Sequence, residues 1–86
     1  MKQYQSQNQK ILDQIDITGD LCPITFVKTK LFIEDHSTGQ IVMIRLRAGE
    51  PLDNIPATLR DEGHNILSLT AESEAEEIWQ LVIEIG

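Results

Sequence analysis

IDITGDLCPITFVK, Ile15 to Lys28, changes its periodicity halfway along. Ile15 and Ile17 alternate with Gln14 and Asp16, the two-residue repeat of a half-buried strand. Gly19 and Asp20 break that repeat. Pro23 then stands where the first turn of a helix loses only a donor that would have had no partner, and the residues from there to about His36 favour helix. A strand that turns a short corner into a helix opens a β-α unit. The single cysteine of the chain, Cys22, lies in that corner.

Working outward, Ser37, Thr38 and Gly39 end the helix, and QIVMIRLRA (40–48) follows as a strand. The first half of that strand is apolar on both sides, which predicts an interior position in a sheet. GEPLDNIPATLRDEG (49–63) predicts a second, short helix. Asp53 or Asn54 serves as its cap, Pro56 falls in its first turn, and Gly63 closes it in the left-handed conformation. Ile55 and Leu59, four apart, share one face of it. NILSLTA (65–71) and EIWQLVIEI (77–85) are strands, and the acidic AESEAEE between them is a hairpin loop with a solvated rim. In the last strand Trp79, Leu81, Ile83 and Ile85 share a face, opposite Ile78, Gln80, Val82 and Glu84. In the other direction, residues 1–10 read as a flexible polar tail, and ILDQIDI (11–17) begins the single domain, 11–86. The order β-α-β-α-β-β predicts an α+β two-layer sandwich, two helices on one face of a four-stranded mixed sheet.

The first helix leaves two readings open. Ile24, Val27 and Leu31 form one apolar face, while Phe26 and Ile33 lie on nearly the opposite side. A helix on an open sheet needs one apolar stripe. Either the core face is wide and loops cover its flank, or one stripe stays exposed near the cysteine as a docking patch, with Phe26 and Ile33 as the exposed candidates.

Composition narrows the function classes. The chain has 86 residues, 41% of them hydrophobic and 24% charged, enough for one modest core and no deep enclosed active site. No apolar run approaches the roughly 20 residues of a membrane span, and MKQYQSQNQK lacks the apolar stretch of a signal peptide. One cysteine makes no internal disulfide, so a cytoplasmic location is expected. The formal charge is −7; residues 1–10 carry Lys2 and Lys10 and no acid, so the domain after them stands at −9. With only Lys28, Lys30, Arg45, Arg47 and Arg60 as basic residues there, direct nucleic-acid binding is not expected, and a basic protein partner fits better.

What one cysteine can do is limited. Without a second cysteine, dithiol exchange within the chain is excluded. A cysteine hydrolase needs a base within reach of the sulfur, and nothing in the spacing joins His36 or His64 to Cys22. His36 is expected at the C-terminus of the first helix, and His64 in a turn. No metal is expected, since one Cys and two scattered His do not make a ligand set. A helix start favours a thiolate or persulfide anion by about 0.3–1 kcal/mol at an exposed site, which raises the thiolate fraction at neutral pH from a few per cent to about ten. Asp20 pushes the other way. That modest activation suits a carrier, which needs one accessible thiol and takes its catalytic apparatus from a partner. A binding or regulatory module with a non-reactive cysteine is the competing reading.

Asp16, Gly19, Cys22 and Pro23 reproduce a D-x-x-G-x-x-C-P opening that resembles the TusA/SirA-like sulfur carrier proteins. Lys28 and Lys30 stand at positions often basic in that family, DNIP (53–56) resembles its second-helix start, and Gly63-His64 precedes the third strand as it does there. The resemblance covers about residues 12–86. It implies strand order 1-2-4-3 with the last strand antiparallel to the others. It implies that Cys22 carries sulfur as a transient persulfide with no other cofactor. The donor would be a cysteine desulfurase or a rhodanese-like protein, and the recipient a downstream sulfur-acceptor protein in tRNA thiolation, cofactor synthesis or sulfur oxidation. Pro23, Gly19 and Thr25 would support the site, and Asp20, Lys28 and Lys30 would help to select partners. The family pattern is C-P-x-P, and Thr25 departs from it. Its N–H or hydroxyl could hydrogen-bond the sulfur, or the exchange could be neutral in a tolerant first turn.

Overall fold

A computed structural model describes residues 11–21 and 23–86. The tail at 1–10 and Cys22 lie outside the described residues. The elements are β1 (Asp13–Asp16), α1 (Ile24–Glu34), β2 (Ile41–Arg47), α2 (Glu50–Asp61), β3 (Asn65–Ser73) and β4 (Ile78–Glu84). They form one four-stranded sheet in the order β1-β2-β4-β3, with β1 parallel to β2 and β4 antiparallel to both β2 and β3. This is the expected sandwich and strand order.

β2 lies inside the sheet because both of its faces are apolar. Val42, Ile44 and Leu46 point to the helices, and Met43 is buried on the other face opposite its register partner Val82. β4 matches β2 across the ladder, so Leu81 and Ile83 pair with Ile44 and Val42 and join the same core. Ile17, Ile33, Ile55, Leu59 and Ile85 complete it. β1 spans only four residues, yet its pairing runs further: the Leu12 N–H donates to the Ile41 carbonyl at 2.7 Å and the Ile17 N–H to the Arg45 carbonyl at 2.9 Å. The edge strand β3 carries two register shifts against β4, at Leu67 and at Glu72, where one residue of β3 is left over.

Both helices depart from the expected boundaries or faces. α1 begins at Ile24, and Pro23 is its N-cap rather than its first helical residue. α2 begins at Glu50, a turn earlier than expected, so neither Asp53 nor Asn54 caps it. The cause is Gly49, whose φ of 106° turns the chain directly out of β2. Pro51 then takes the first-turn place expected of Pro56. Pro56 is buried inside the helix and removes the N–H that would have met the Leu52 carbonyl. Gly63, at φ 97°, closes α2 as expected.

α1 turns the opposite face to the sheet from the one its large aliphatics suggest. Thr25 and Thr29 are 0% and 2% exposed, Ile33 is buried with them, and Phe26 and Phe32 pack at the edges of the core. Ile24, Val27 and Leu31 stay in solvent. Apolar residues lie all around this helix, so its pattern sets no preferred side. The two threonines decide it, because short side chains let the helix approach the sheet while the larger rings fill the flanks. The exposed stripe therefore exists, but it is Ile24, Val27 and Leu31, and not Phe26 and Ile33.

Candidate functional site

The corner that carries Cys22 begins where β1 ends. Asp16 holds the first step: its Oδ1 accepts from the Thr18 N–H at 2.9 Å and from the Thr18 hydroxyl at 2.6 Å. Its Oδ2 accepts from Arg45 Nη1 at 2.7 Å. These bonds hold its carboxyl below the ordinary aspartate value, the Thr18 hydroxyl contributing most. Arg47 clamps the same turn from the next strand, donating from Nε to the Thr18 carbonyl at 3.2 Å and from Nη1 to the Glu76 carbonyl at 3.1 Å. The Asp20 N–H returns to the Ile17 carbonyl at 3.2 Å. Asp16, the first residue of the D-x-x-G-x-x-C-P pattern, thus acts on the backbone of the corner.

On the far side of Cys22, the Leu21 carbonyl accepts from the Ile24 N–H at 2.8 Å and from the Thr25 N–H at 3.3 Å, and the Pro23 carbonyl accepts from Val27 at 3.2 Å. The first donors of α1 are therefore directed at Leu21. The Thr25 N–H points back along the chain to Leu21, and the Thr25 side chain is fully buried. Leu21, Pro23 and Gly19 are exposed. The residues on either side of Cys22 are thus open to solvent, on a backbone fixed from both ends.

The charged residues named from the sequence do not gather into one rim. Lys28 Nζ lies 3.0 Å from Asp20 Oδ2 and 3.1 Å from Oδ1, so the acid nearest in sequence to the thiol is neutralised within the corner. Lys30 points the other way and pairs with Glu62, at the end of α2, at 3.1 Å. Both histidines sit at the opposite end of the sheet. His36 Nδ1 meets the Phe32 carbonyl at 2.6 Å and Nε2 meets Asp13 at 3.2 Å, while His64 Nδ1 accepts from the Gly86 N–H at 3.0 Å. The seven residues of β2, roughly 20 Å of strand, separate that end from the Leu21–Pro23 corner. The histidines are therefore remote from Leu21 and Pro23, the residues that flank Cys22 in the chain. Among the described residues, no three of His, Cys, Asp and Glu converge where a metal ion could be held.

Sequence reading missed Arg45, Arg47 and Glu72. The signal was present for the arginines, two charges spaced by two on a strand otherwise apolar. For Glu72 it was not, because its aim depends on the β-bulge that turns it across the sheet toward Arg45, 2.7 Å away.

Comparison with known proteins agrees with this geometry. Residues 13–85 match the family described as Sulfurtransferase TusA. Three relatives carry the name "Putative sulfur carrier protein". The one from Archaeoglobus fulgidus is 29% identical over 83 residues, 96% of this chain and 92% of that protein. The one from Thermotoga maritima is 25% identical over 76 residues, covering 88% and 94%. The one from Methanocaldococcus jannaschii is 28% identical over 64 residues, covering 74% and 84%. With the motif corner, the sheet order and a family match over almost the whole domain in agreement, the chain belongs to the TusA sulfurtransferase family.

Proposed function

We propose that this protein is a sulfur carrier in which Cys22 accepts sulfane sulfur from a protein persulfide and delivers it to an acceptor protein. The observation that carries the reading is the corner itself: its backbone is held by Asp16, Arg47 and the Leu21 carbonyl, and Leu21 and Pro23 on either side of Cys22 are exposed. The relatives' names support the same role.

The chemistry asks little of the carrier. The Cys22 thiolate attacks the terminal sulfur of a donor persulfide, R–S–SH. A Cys22 S–S bond forms, the donor S–S bond breaks, and the donor cysteine leaves as its thiolate, so no external oxidant or reductant is consumed. Delivery repeats the step with an acceptor thiolate attacking the Cys22 persulfide. The chain's own contribution is to present the sulfur at the start of α1, with Lys28 offsetting the Asp20 carboxylate that would otherwise disfavour the anion. The donor, a cysteine desulfurase or a rhodanese-like protein, supplies the activated sulfur. A thiol that works this way belongs where thiols stay reduced, which favours the cytoplasm.

Cyanide, which removes sulfane sulfur as thiocyanate, gives the test. Thiocyanate from the loaded wild type and none from Cys22→Ser supports the carrier reading. Equal release from both proteins refutes it.

A further inference from the structure

Leu21, Ile24, Val27 and Leu31 are 79%, 50%, 55% and 59% exposed. Ile24, Val27 and Leu31, spaced three and four apart, run along the outer surface of α1, away from the sheet, and Leu21 precedes them on the other side of Cys22 in the chain. A helix packed on a sheet ordinarily turns polar residues outward. The stripe is bordered on one side by the Lys28–Asp20 pair and on the other by the Lys30–Glu62 pair. The basic residues that flank it are thus already matched by acids of the same chain.

We propose that this stripe is the docking surface for the protein that exchanges sulfur with Cys22, and that the partner meets it with an uncharged apolar patch surrounding its own persulfide-bearing cysteine. The proposal rests on the carrier reading and deepens it. Size argues for such a partner against a second copy of this chain. Four side chains at these exposures make a patch in the range of roughly 300–600 Å², and two such patches face to face remove on the order of 800 Å² in total, short of the roughly 1,200 Å² at which stable interfaces begin. An area that small suits an encounter that forms and dissolves at each transfer. The paired flanks set its character: burial of aliphatic groups drives the docking, and selection by charge on Lys28 and Lys30 is secondary.

The test compares two routes of loading in the full chain, followed by intact mass. A cysteine desulfurase supplied with L-cysteine must dock, and inorganic polysulfide need not. Val27→Gln combined with Leu31→Gln removes the middle and end of the stripe with a good helix former at exposed sites. The expected result is desulfurase-driven loading about tenfold slower, a loss of the size that interface residues give, with polysulfide loading unchanged and wild-type desulfurase loading little affected by added salt. Wild-type desulfurase rates in the variant overturn the assignment, as does an equal fall by both routes, which would place the effect on the thiol itself. Strong salt dependence overturns it in favour of charge. A wild type that sediments as a dimer, dissolved by the double substitution, gives the stripe to a second copy. Loading from polysulfide but never from the desulfurase removes the docking assignment and leaves the carrier reading standing, whereas loading by neither route removes both.

Discussion

Arg45 and Glu72 meet across the open face of the sheet: Nε donates to Glu72 Oε1 at 2.8 Å and Nη2 to Oε2 at 2.7 Å, while Nη1 reaches Asp16 at 2.7 Å. Gln80 adds a donor to Glu72 at 3.0 Å. One guanidinium thus ties edge strand β3 to the end of β1, where the Cys22 corner begins. The Arg45 hydrogen bonds, then that of Gln80, hold the Glu72 carboxyl down at about 2.

That pairing gives the fold an acid sensitivity of known sign. A carboxyl depressed in the folded state stabilises above its unfolded value and loses that contribution as pH falls through the folded one. For Glu72 the loss runs from about 4.5 down to about 2, and the lowered Asp16 adds to it from below its own ordinary 3.8. Urea midpoints of the wild type should fall over that window. Glu72→Gln should start lower at neutral pH and fall less. A parallel decline in both proteins would mean that the pair is not linked to folding.

Arg47 is the clamp on the corner. Arg47→Ala removes its bonds to the Thr18 and Glu76 carbonyls. A loss of about 1 kcal/mol is expected, with faster amide exchange at Asp20, whose N–H closes the same turn on Ile17. Unchanged exchange at Asp20 would show that the turn holds without the arginine.

Thr29 is almost fully buried and its hydroxyl has no hydrogen-bond partner among the described residues. Thr29→Val keeps the shape and removes the stranded polar group, so thermal unfolding should shift upward by a stability gain of about 1 kcal/mol. A fall instead would reveal a partner for the hydroxyl.

Lys28 pairs with Asp20, the acid two residues before Cys22 in the chain. Alkylation of Cys22 by a small neutral reagent at neutral pH should slow by roughly twofold in Lys28→Gln, which leaves the carboxylate alone, and return toward the wild-type rate when Asp20→Asn is added. Equal rates in all three proteins would show that the pair does not act on the sulfur.

The sheet was legible because its signals are local. β2 is apolar on both sides, so it could only be interior, and the alternation in β4 marked Leu81, Ile83 and Ile85 for the core. The α1 face was not legible, since Thr25 and Thr29 look like surface residues until a sheet is placed against them and closeness of approach outweighs hydrophobicity. Two prolines in α2 offered two first turns, and the choice fell to Gly49, whose positive φ shows only in three dimensions. At the site, the D-x-x-G-x-x-C-P pattern was legible in the chain, and its Asp16 holds the Thr18 turn. The Asp16–Arg45–Glu72 network was not, because it joins three strands through a bulge that no periodicity announces.

If the sulfur travels on Cys22, the intact mass after incubation with a cysteine desulfurase and L-cysteine, without reductant, shows it most directly. The expected result is a gain of one sulfur atom that disappears on adding a thiol reductant and is absent in Cys22→Ser. An unchanged mass after both desulfurase and polysulfide, or the same gain in Cys22→Ser, would contradict it.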